Sequence, residues 1–406
     1  MRIGIDARMS GPTVGGGGLG RYVEELTKNL AEVDQRNRYV LFEASPMQHD
    51  VCSSPEHPPI PGNACASPSG EDQHPVNEPP SVLQGAHITH RRTPVPWYTL
   101  AEQLWMPNII DRERLDLLHV PHWNVPIRLK TPFVVTIHDL ILLEEPRSAR
   151  ATTRHPLVYA LKYAGFKRVL AHALRASKKI IAVSEATKQD ILKHFPDVPD
   201  TKIVVIYEGI TPLHRDPLAN TADLGQPEKP VLLAVGNTYP HKNHDALLDA
   251  FDLLHAARPD LRLIFAGRDD AFSRALQQKA QTRKSAHAVT FVKNPTDEKI
   301  AELYAQATML VFPSRVEGFG LPPLEAMASG TPVACSNIPS LREILADAAA
   351  YFDPSDRSDM ARVIGNLLDH PPLREQLVAQ GNKRIKRYDW KRMAEQTVRV
   401  YEECNP

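Results

Sequence analysis

Short apolar runs alternate with helix-period segments along almost the whole chain, and that alternation restricts the fold more than any other feature. Runs at residues 1–7, 38–43, 117–120, 133–138, 180–184 and 203–207 read as strands. Between them, residues 20–33 place Tyr22, Val23, Leu26 and Leu30 on one helical face, and residues 184–195 begin a helical pattern with Ser184 as its cap. Strands alternating with helices predict parallel sheets covered on both faces.

A second series follows a polar, proline-containing stretch at 211–230. Its strand candidates are 231–236, 261–267, 288–292, 309–313, 332–336 and 350–353. A chain of 406 residues is too long for one ordinary core. The prediction is therefore an α/β protein of two Rossmann-like domains, residues 1–210 and 211–388, hinged within 211–230. Residues 389–406 form a final helix, with Trp390, Met393, Val398 and Tyr401 as the stripe that packs back on the first domain. Ligands of such sheets bind at the carboxyl ends of the strands. Residues 45–86 belong to neither series. Nine prolines and few large apolar residues leave too little surface to offset ordering entropy, so a mobile insertion is expected.

Lys and Arg number 48 and Asp and Glu number 48, which argues against a nucleic-acid partner and leaves a small anionic ligand open. Cys52, Cys65, Cys335 and Cys404 form no CxxC or zinc spacing, so no metal site is expected, and Cys335 reads as a core residue. Sparse cysteine, no signal-like leader and no long apolar run fit a cytoplasmic chain. The basic segment 154–179 suits an anionic membrane surface or a lipid-linked acceptor, with an ordinary amphipathic helix as the plainer reading. Peripheral contact with the inner membrane surface is the corresponding expectation.

The segment richest in chemistry leaves the strand at 309–313 and runs from Glu317 through Gly318, Phe319, Gly320, Leu321, Pro322 and Pro323 to Glu325. Two glycines let backbone approach a ligand, and a proline suits the first turn of the next helix. Backbone N–H groups there favour an anion or a hydroxyl-rich ligand. A carboxylate at Glu325 can accept two vicinal hydroxyls. The plainer alternative makes Glu317 a turn cap and Glu325 a solvated helix residue. His138 and Asp139 end a buried strand, where an imidazole can donate to a sugar hydroxyl or a leaving phosphate. Gly15, Gly16, Gly17, Gly18 and Gly20 lead into a helix, a turn suited to a diphosphate that also meets a dinucleotide fingerprint at Gly15, Gly17 and Gly20. Lys242, in the run from Gly236 through Asn237 and His241 to Asn243, offers a point charge to a diphosphate.

These pieces together resemble the retaining GT-B glycosyltransferases of family 4, over nearly all the chain except 45–86. The carriers are the glycine loop with Arg21 and Tyr22, Thr136 to Asp139, Ala182 to Glu185, Pro240 to Asn243, and the E-x7-E element Glu317 to Glu325. The resemblance implies that Glu325 binds the donor ribose and that Glu317, with the N–H groups of Gly318, Phe319, Gly320 and Leu321, holds the donor sugar. It places His138 beside that sugar, Lys242 and the Gly17–Gly18 turn at the diphosphate, and backbone near Val292 at the base. It implies no metal and no cofactor, a GDP- or UDP-sugar as donor substrate, and retention of configuration. Many relatives carry arginines where this chain has Asn237 and His241, so either the cationic clamp is weaker or Arg268 or Arg315 substitutes. The acceptor is expected to be a saccharide or lipid-linked saccharide in polysaccharide assembly, held near residues 15–21 and 97–105. Within the family, mannose from GDP-mannose is the preferred donor. The competing readings are a sugar-nucleotide epimerase of the same fold, a dinucleotide-dependent oxidoreductase using Glu43, and a non-catalytic carbohydrate binder.

Overall fold

A computed structural model describes residues 1–11, 17–45, 87–146, 156–211 and 229–405. The insertion expected at 45–86 and the hinge expected within 211–230 fall almost wholly outside the described residues, as do Gly15 and Gly16.

The first sheet contains β1 (Arg2–Asp6), β2 (Arg38–Ala44), β3 (Ile88–Thr93), β4 (Leu117–Val120), β5 (Phe133–Ile137), β6 (Ile180–Ala182) and β7 (Ile203–Val205), in the order β3-β2-β1-β4-β5-β6-β7. The second contains β8 (Val231–Val235), β9 (Arg262–Gly267), β10 (Val289–Lys293), β11 (Met309–Phe312), β12 (Val333–Ser336) and β13 (Ala350–Phe352), in the order β10-β9-β8-β11-β12-β13. The register is parallel from β3 through β2 and β1 to β4, from β5 to β7, and across the second sheet. β4, β5, β11 and β12 are buried at every residue, the mark of strands covered on both faces. In each sheet the order reverses beside the first strand, which opens a crevice at the carboxyl ends.

The strand period explains the two cores of the second sheet. Met309 and Val311 join Leu248, Phe251, Leu263 and Ile364 on one face, while Leu310 and Phe312 join Leu324, Cys335 and Leu341 on the other. Cys335 is a core residue, and burial pushes its thiol well above the usual range.

Two elements escape the sequence reading. β3 (Ile-Thr-His-Arg-Arg-Thr) is an edge strand with His90, Arg91 and Arg92 exposed, and charge on an edge guards against further pairing while hiding the apolar pattern. The helix Leu100–Arg112 carries Pro107 in its interior and is capped by Thr99, whose hydroxyl accepts from Glu102 N. The basic segment forms the helix Pro156–Ala176. Among the described residues no helix is long and apolar enough to cross a membrane.

By packing, the chain divides into two units. One comprises Met1–Val134, Arg154–Lys178 and Tyr401–Pro406, and the other comprises Val135–Thr153 and Lys179–Val400. The second unit holds the end of β5, β6 and β7 as well as the whole second sheet. In the last helix, Trp390–Glu403, the buried stripe is Trp390, Met393, Ala394, Thr397, Val400 and Tyr401, with Val398 only half-buried. Tyr401 belongs to the first unit, where its hydroxyl lies 2.6 Å from His119 Nδ1.

Candidate active site

β11 ends at Phe312, and the chain turns through Glu317 and Gly318 into the helix Leu321–Ala328. Gly320 caps that helix with φ of +91°, a left-handed conformation that glycine takes without strain, and prolines occupy its first turn. Gly318 has a different constraint from the ligand approach expected of it. A Cβ there would stand 1.7 Å from the carbonyl oxygen of His138, so the missing side chain lets the turn lie directly on the end of β5. Ser184, the cap of the helix Glu185–His194, locks this contact by donating to Gly318 O at 2.6 Å. Thr187 Oγ1 reaches His138 O at 3.3 Å.

The contact brings together charged groups that are far apart in sequence. His138 Nδ1 lies 2.9 Å from Glu208 Oε1, and Lys242 Nζ lies 2.6 Å from Glu317 Oε1. All four side chains are largely shielded. Burial pushes the Asp139 carboxyl up, the N–H of Ile141 pulls it down, and the charge of Glu317 adds to the rise. Glu208 follows β7 and was not singled out in the sequence. Its signal would have been an acidic residue at a strand exit of the same sheet as His138. Because a carboxylate only accepts, His138 Nδ1 carries the proton, and the other ring nitrogen of the neutral imidazole is an acceptor. The donation expected of His138 from that second nitrogen therefore requires the imidazolium.

Glu325 is 8% exposed, and Tyr304 OH donates to its Oε2 at 3.1 Å. The solvated reading of Glu325 is thus corrected: its carboxylate is held in place. Phe319 lies in the core, edge-to-face with Tyr388, so it faces a ligand only through backbone. Leu321 is the first residue of the helix that Gly320 caps.

Asn237 and His241 follow β8. Burial pushes His241 down to about 4, with Lys242 adding to the fall, so the ring is neutral at pH 7 and supplies no cation. His244 is pushed down to about 3 by burial and the same lysine. The buried atoms Thr238 Oγ1, His241 Nδ1, His244 Nδ1 and Ser314 Oγ have no hydrogen-bond partner. Native interiors leave few such atoms, and Thr238 and His244 among them line one pocket, where a polar ligand or water can meet them. Val292 lines a pocket with Gly236, Thr238, His244, Gly267 and Arg268. Arg315 is exposed, and its backbone N–H donates to His241 O at 2.8 Å. Gly17 and Gly18 belong to the first unit. Gly17 has φ of +93° and caps the helix Gly18–Val33, which starts two residues earlier than the sequence pattern suggests.

The second unit thus gathers His138, Asn237, Lys242, Val292, Glu317, Gly318, Phe319, Gly320, Leu321 and Glu325 around the carboxyl ends of β5, β8, β10 and β11. Two paired acid–base couples, a helix N-terminus and a fixed buried carboxylate suit a ligand carrying both hydroxyls and phosphate. Among the described residues no group of three or more His, Cys, Asp or Glu could hold a metal ion.

Two family models match the chain. Glycosyltransferase Family 4 matches residues 16–212, and Glycosyl transferases group 1 matches residues 220–384. The chain is 29% identical to an O-antigen chain mannosyltransferase of Salmonella typhimurium over 77% of this chain and 81% of the relative. It is 28% identical to O-antigen chain mannosyltransferase B of Escherichia coli over 95% of each. A sucrose-phosphate synthase from Thermosynechococcus elongatus shares the fold with a TM-score of 0.74, 21% identity and coverage of 99% and 98%. WaaG, a glycosyltransferase of lipopolysaccharide biosynthesis, does so with a TM-score of 0.70, 18% identity and coverage of 98% and 99%. With two matching family models over successive halves and the two-sheet GT-B fold in place, the chain belongs to the family 4, group 1 glycosyltransferases and is a hexosyltransferase.

Proposed function

We propose that this enzyme transfers mannose from GDP-mannose, with retention of configuration, to a saccharide or lipid-linked saccharide acceptor in polysaccharide assembly. The observation that carries the reading is the cluster of His138–Glu208, Lys242–Glu317 and Glu325–Tyr304 at the strand exits of the second unit. The relatives named as O-antigen mannosyltransferases favour mannose. A structure of the same fold, HepE from Anabaena, is described in complex with UDP and glucose, which favours a nucleotide sugar as the donor class.

In this reading residues 211–388 hold the donor and residues 1–210 the acceptor. Glu325 accepts the ribose hydroxyls, and the N–H groups following Glu317 accept no proton but donate to the sugar. Lys242 neutralises the leaving diphosphate, which must compete with Glu317 for the ammonium. Asp139, Glu208 and Glu317 make the surroundings rich in carboxylate, so Arg268 or Arg315 is needed as a second cation. No metal or cofactor takes part. The epimerase and oxidoreductase readings are not favoured, because both family models describe glycosyl transfer.

The test is incubation with a panel of nucleotide sugars in EDTA, following slow donor hydrolysis without acceptor. Hydrolysis of GDP-mannose and not of UDP-sugars is expected. Turnover of UDP-sugars alone would overturn the donor assignment. Glu325→Ala should abolish donor binding in calorimetry while the protein stays folded.

A further inference from the structure

The first unit carries an aromatic surface that the donor chemistry does not use. Three strands of its sheet deliver residues to one place. β3 leads into Trp97 and Tyr98, β4 leads into His122, Trp123 and Asn124, and β1 ends at Asp6 before Arg8. The Tyr98 hydroxyl lies 2.9 Å from His122 Nε2. Its ring centroid stands 4.4 Å from that of Trp97 and 5.2 Å from that of Trp123. Trp123 continues the cluster edge-to-face with Phe166 at 4.7 Å.

Two features separate this surface from an incidental patch. Tyr98 is 45% exposed and has φ of +59°, a left-handed conformation that is strained for an aromatic residue. A buried polar network holds it there. Glu102, 1% exposed, accepts the Tyr98 N–H at 2.8 Å and also binds Arg8 and Asn124, while Arg8 binds Asp6. Burying ionised groups to fix one exposed ring in an unfavourable backbone state is a stability cost that persists where function uses the ring.

We infer that Tyr98, His122 and Trp123 form a stacking platform for a pyranose of the saccharide acceptor, and that Glu102 is the positioning residue that holds Tyr98 in place. The inference rests on the proposed glycosyl transfer and names the acceptor side of it. The platform lies at the carboxyl ends of β1, β3 and β4, where ligands of parallel sheets bind. Its chemistry suits a sugar: apolar ring faces take the C–H face of a pyranose, and the tyrosine hydroxyl and imidazole stand beside them to meet its hydroxyls. A lipid surface would be met instead by the apolar side chains of Leu100, Leu104 and Trp105, which are exposed on the helix Leu100–Arg112.

Three of the four tryptophans lie between residues 97 and 123, so intrinsic fluorescence reports on this surface. The full chain is titrated with an α-linked mannotriose, and separately with anionic phosphatidylglycerol vesicles, while GDP-mannose affinity is followed by calorimetry. Saccharide-dependent quenching is expected. Tyr98→Ala and Trp123→Ala should weaken it about tenfold or more and leave donor affinity unchanged. Tyr98→Gly should lose saccharide binding while Tm holds or rises, because glycine relieves the backbone. Tyr98→Phe should retain most of it. Glu102→Gln should raise the saccharide Kd and the acceptor KM with little change in kcat. Unchanged saccharide affinity in folded Tyr98→Ala and Tyr98→Gly would overturn the platform. So would a fluorescence change with vesicles but none with mannotriose. Loss of GDP-mannose binding by the unaltered protein would instead count against the donor assignment, and mannotriose quenching would still decide the platform.

Discussion

Glu208 decides how His138 can act. Its buried carboxylate, 2.9 Å from Nδ1, fixes one tautomer and sets a carboxylate charge beside the ring. Glu208→Gln keeps the size and a hydrogen bond but removes that charge. The expected outcome is a fall in kcat of about a hundredfold with donor affinity unchanged, measured by steady-state kinetics beside calorimetry. An unaltered kcat would reduce Glu208 to a structural partner. The Lys242–Glu317 pair belongs to the same scale. Its 2.6 Å contact ties the two groups to each other, so a donor held as proposed has to rearrange it.

The element that matters most is the turn from β11 to the helix Leu321–Ala328, together with the cap that receives it. Ser184 accepts from Thr187 N at 3.0 Å and donates to Gly318 O at 2.6 Å, so one hydroxyl ends a helix and anchors the turn. Ser184→Ala should cost about 1–3 kcal/mol, since it removes a cap and leaves Gly318 O with only the longer contact from Thr187 Oγ1 at 3.5 Å. Urea unfolding measures it, and a loss within error of zero would show that the turn does not depend on the cap. Gly318→Ala should be more severe, about 3 kcal/mol or more, because its Cβ overlaps the backbone of His138. Loss of activity with unchanged stability would contradict that account. The turn itself was legible in the sequence, because glycines and prolines declare their backbone needs. Its partner was not, since nothing local in Ser184 or His138 points to Gly318.

At the scale of the whole molecule, the loop after β8 makes stability depend on acid. His241 and His244 have folded values of about 4 and about 3 against an ordinary 6.5. The unfolded chain therefore binds more protons, so their contribution is complete above pH 6.5 and is lost as pH falls from there toward the folded values. Each contributes on the order of a few kcal/mol at neutral pH. Asp139 and Glu102, pushed up by burial, act in the opposite sense. The expected result is a Tm that falls from pH 6.5 to 4.5, with a shallower fall in His244→Asn. A profile that His244→Asn leaves unchanged would show that this histidine does not stay neutral in the fold.

By itself the sequence determined the class of fold, since twelve strand runs alternating with helix-period segments leave few arrangements other than two covered parallel sheets. It also determined the β11 turn and the positions of His138, Lys242, Glu317 and Glu325, because strand exits and glycine-proline turns are local signals. The charged edge strand β3 and the proline-bearing helix Leu100–Arg112 lacked such signals. Tertiary structure alone decided the pairings. Glu208 met His138 across 70 residues, Lys242 met Glu317 across 75, and Arg8 met Glu102 across 94. Periodicity reports which face of an element is buried, but which charges share that burial depends on how the chain returns on itself.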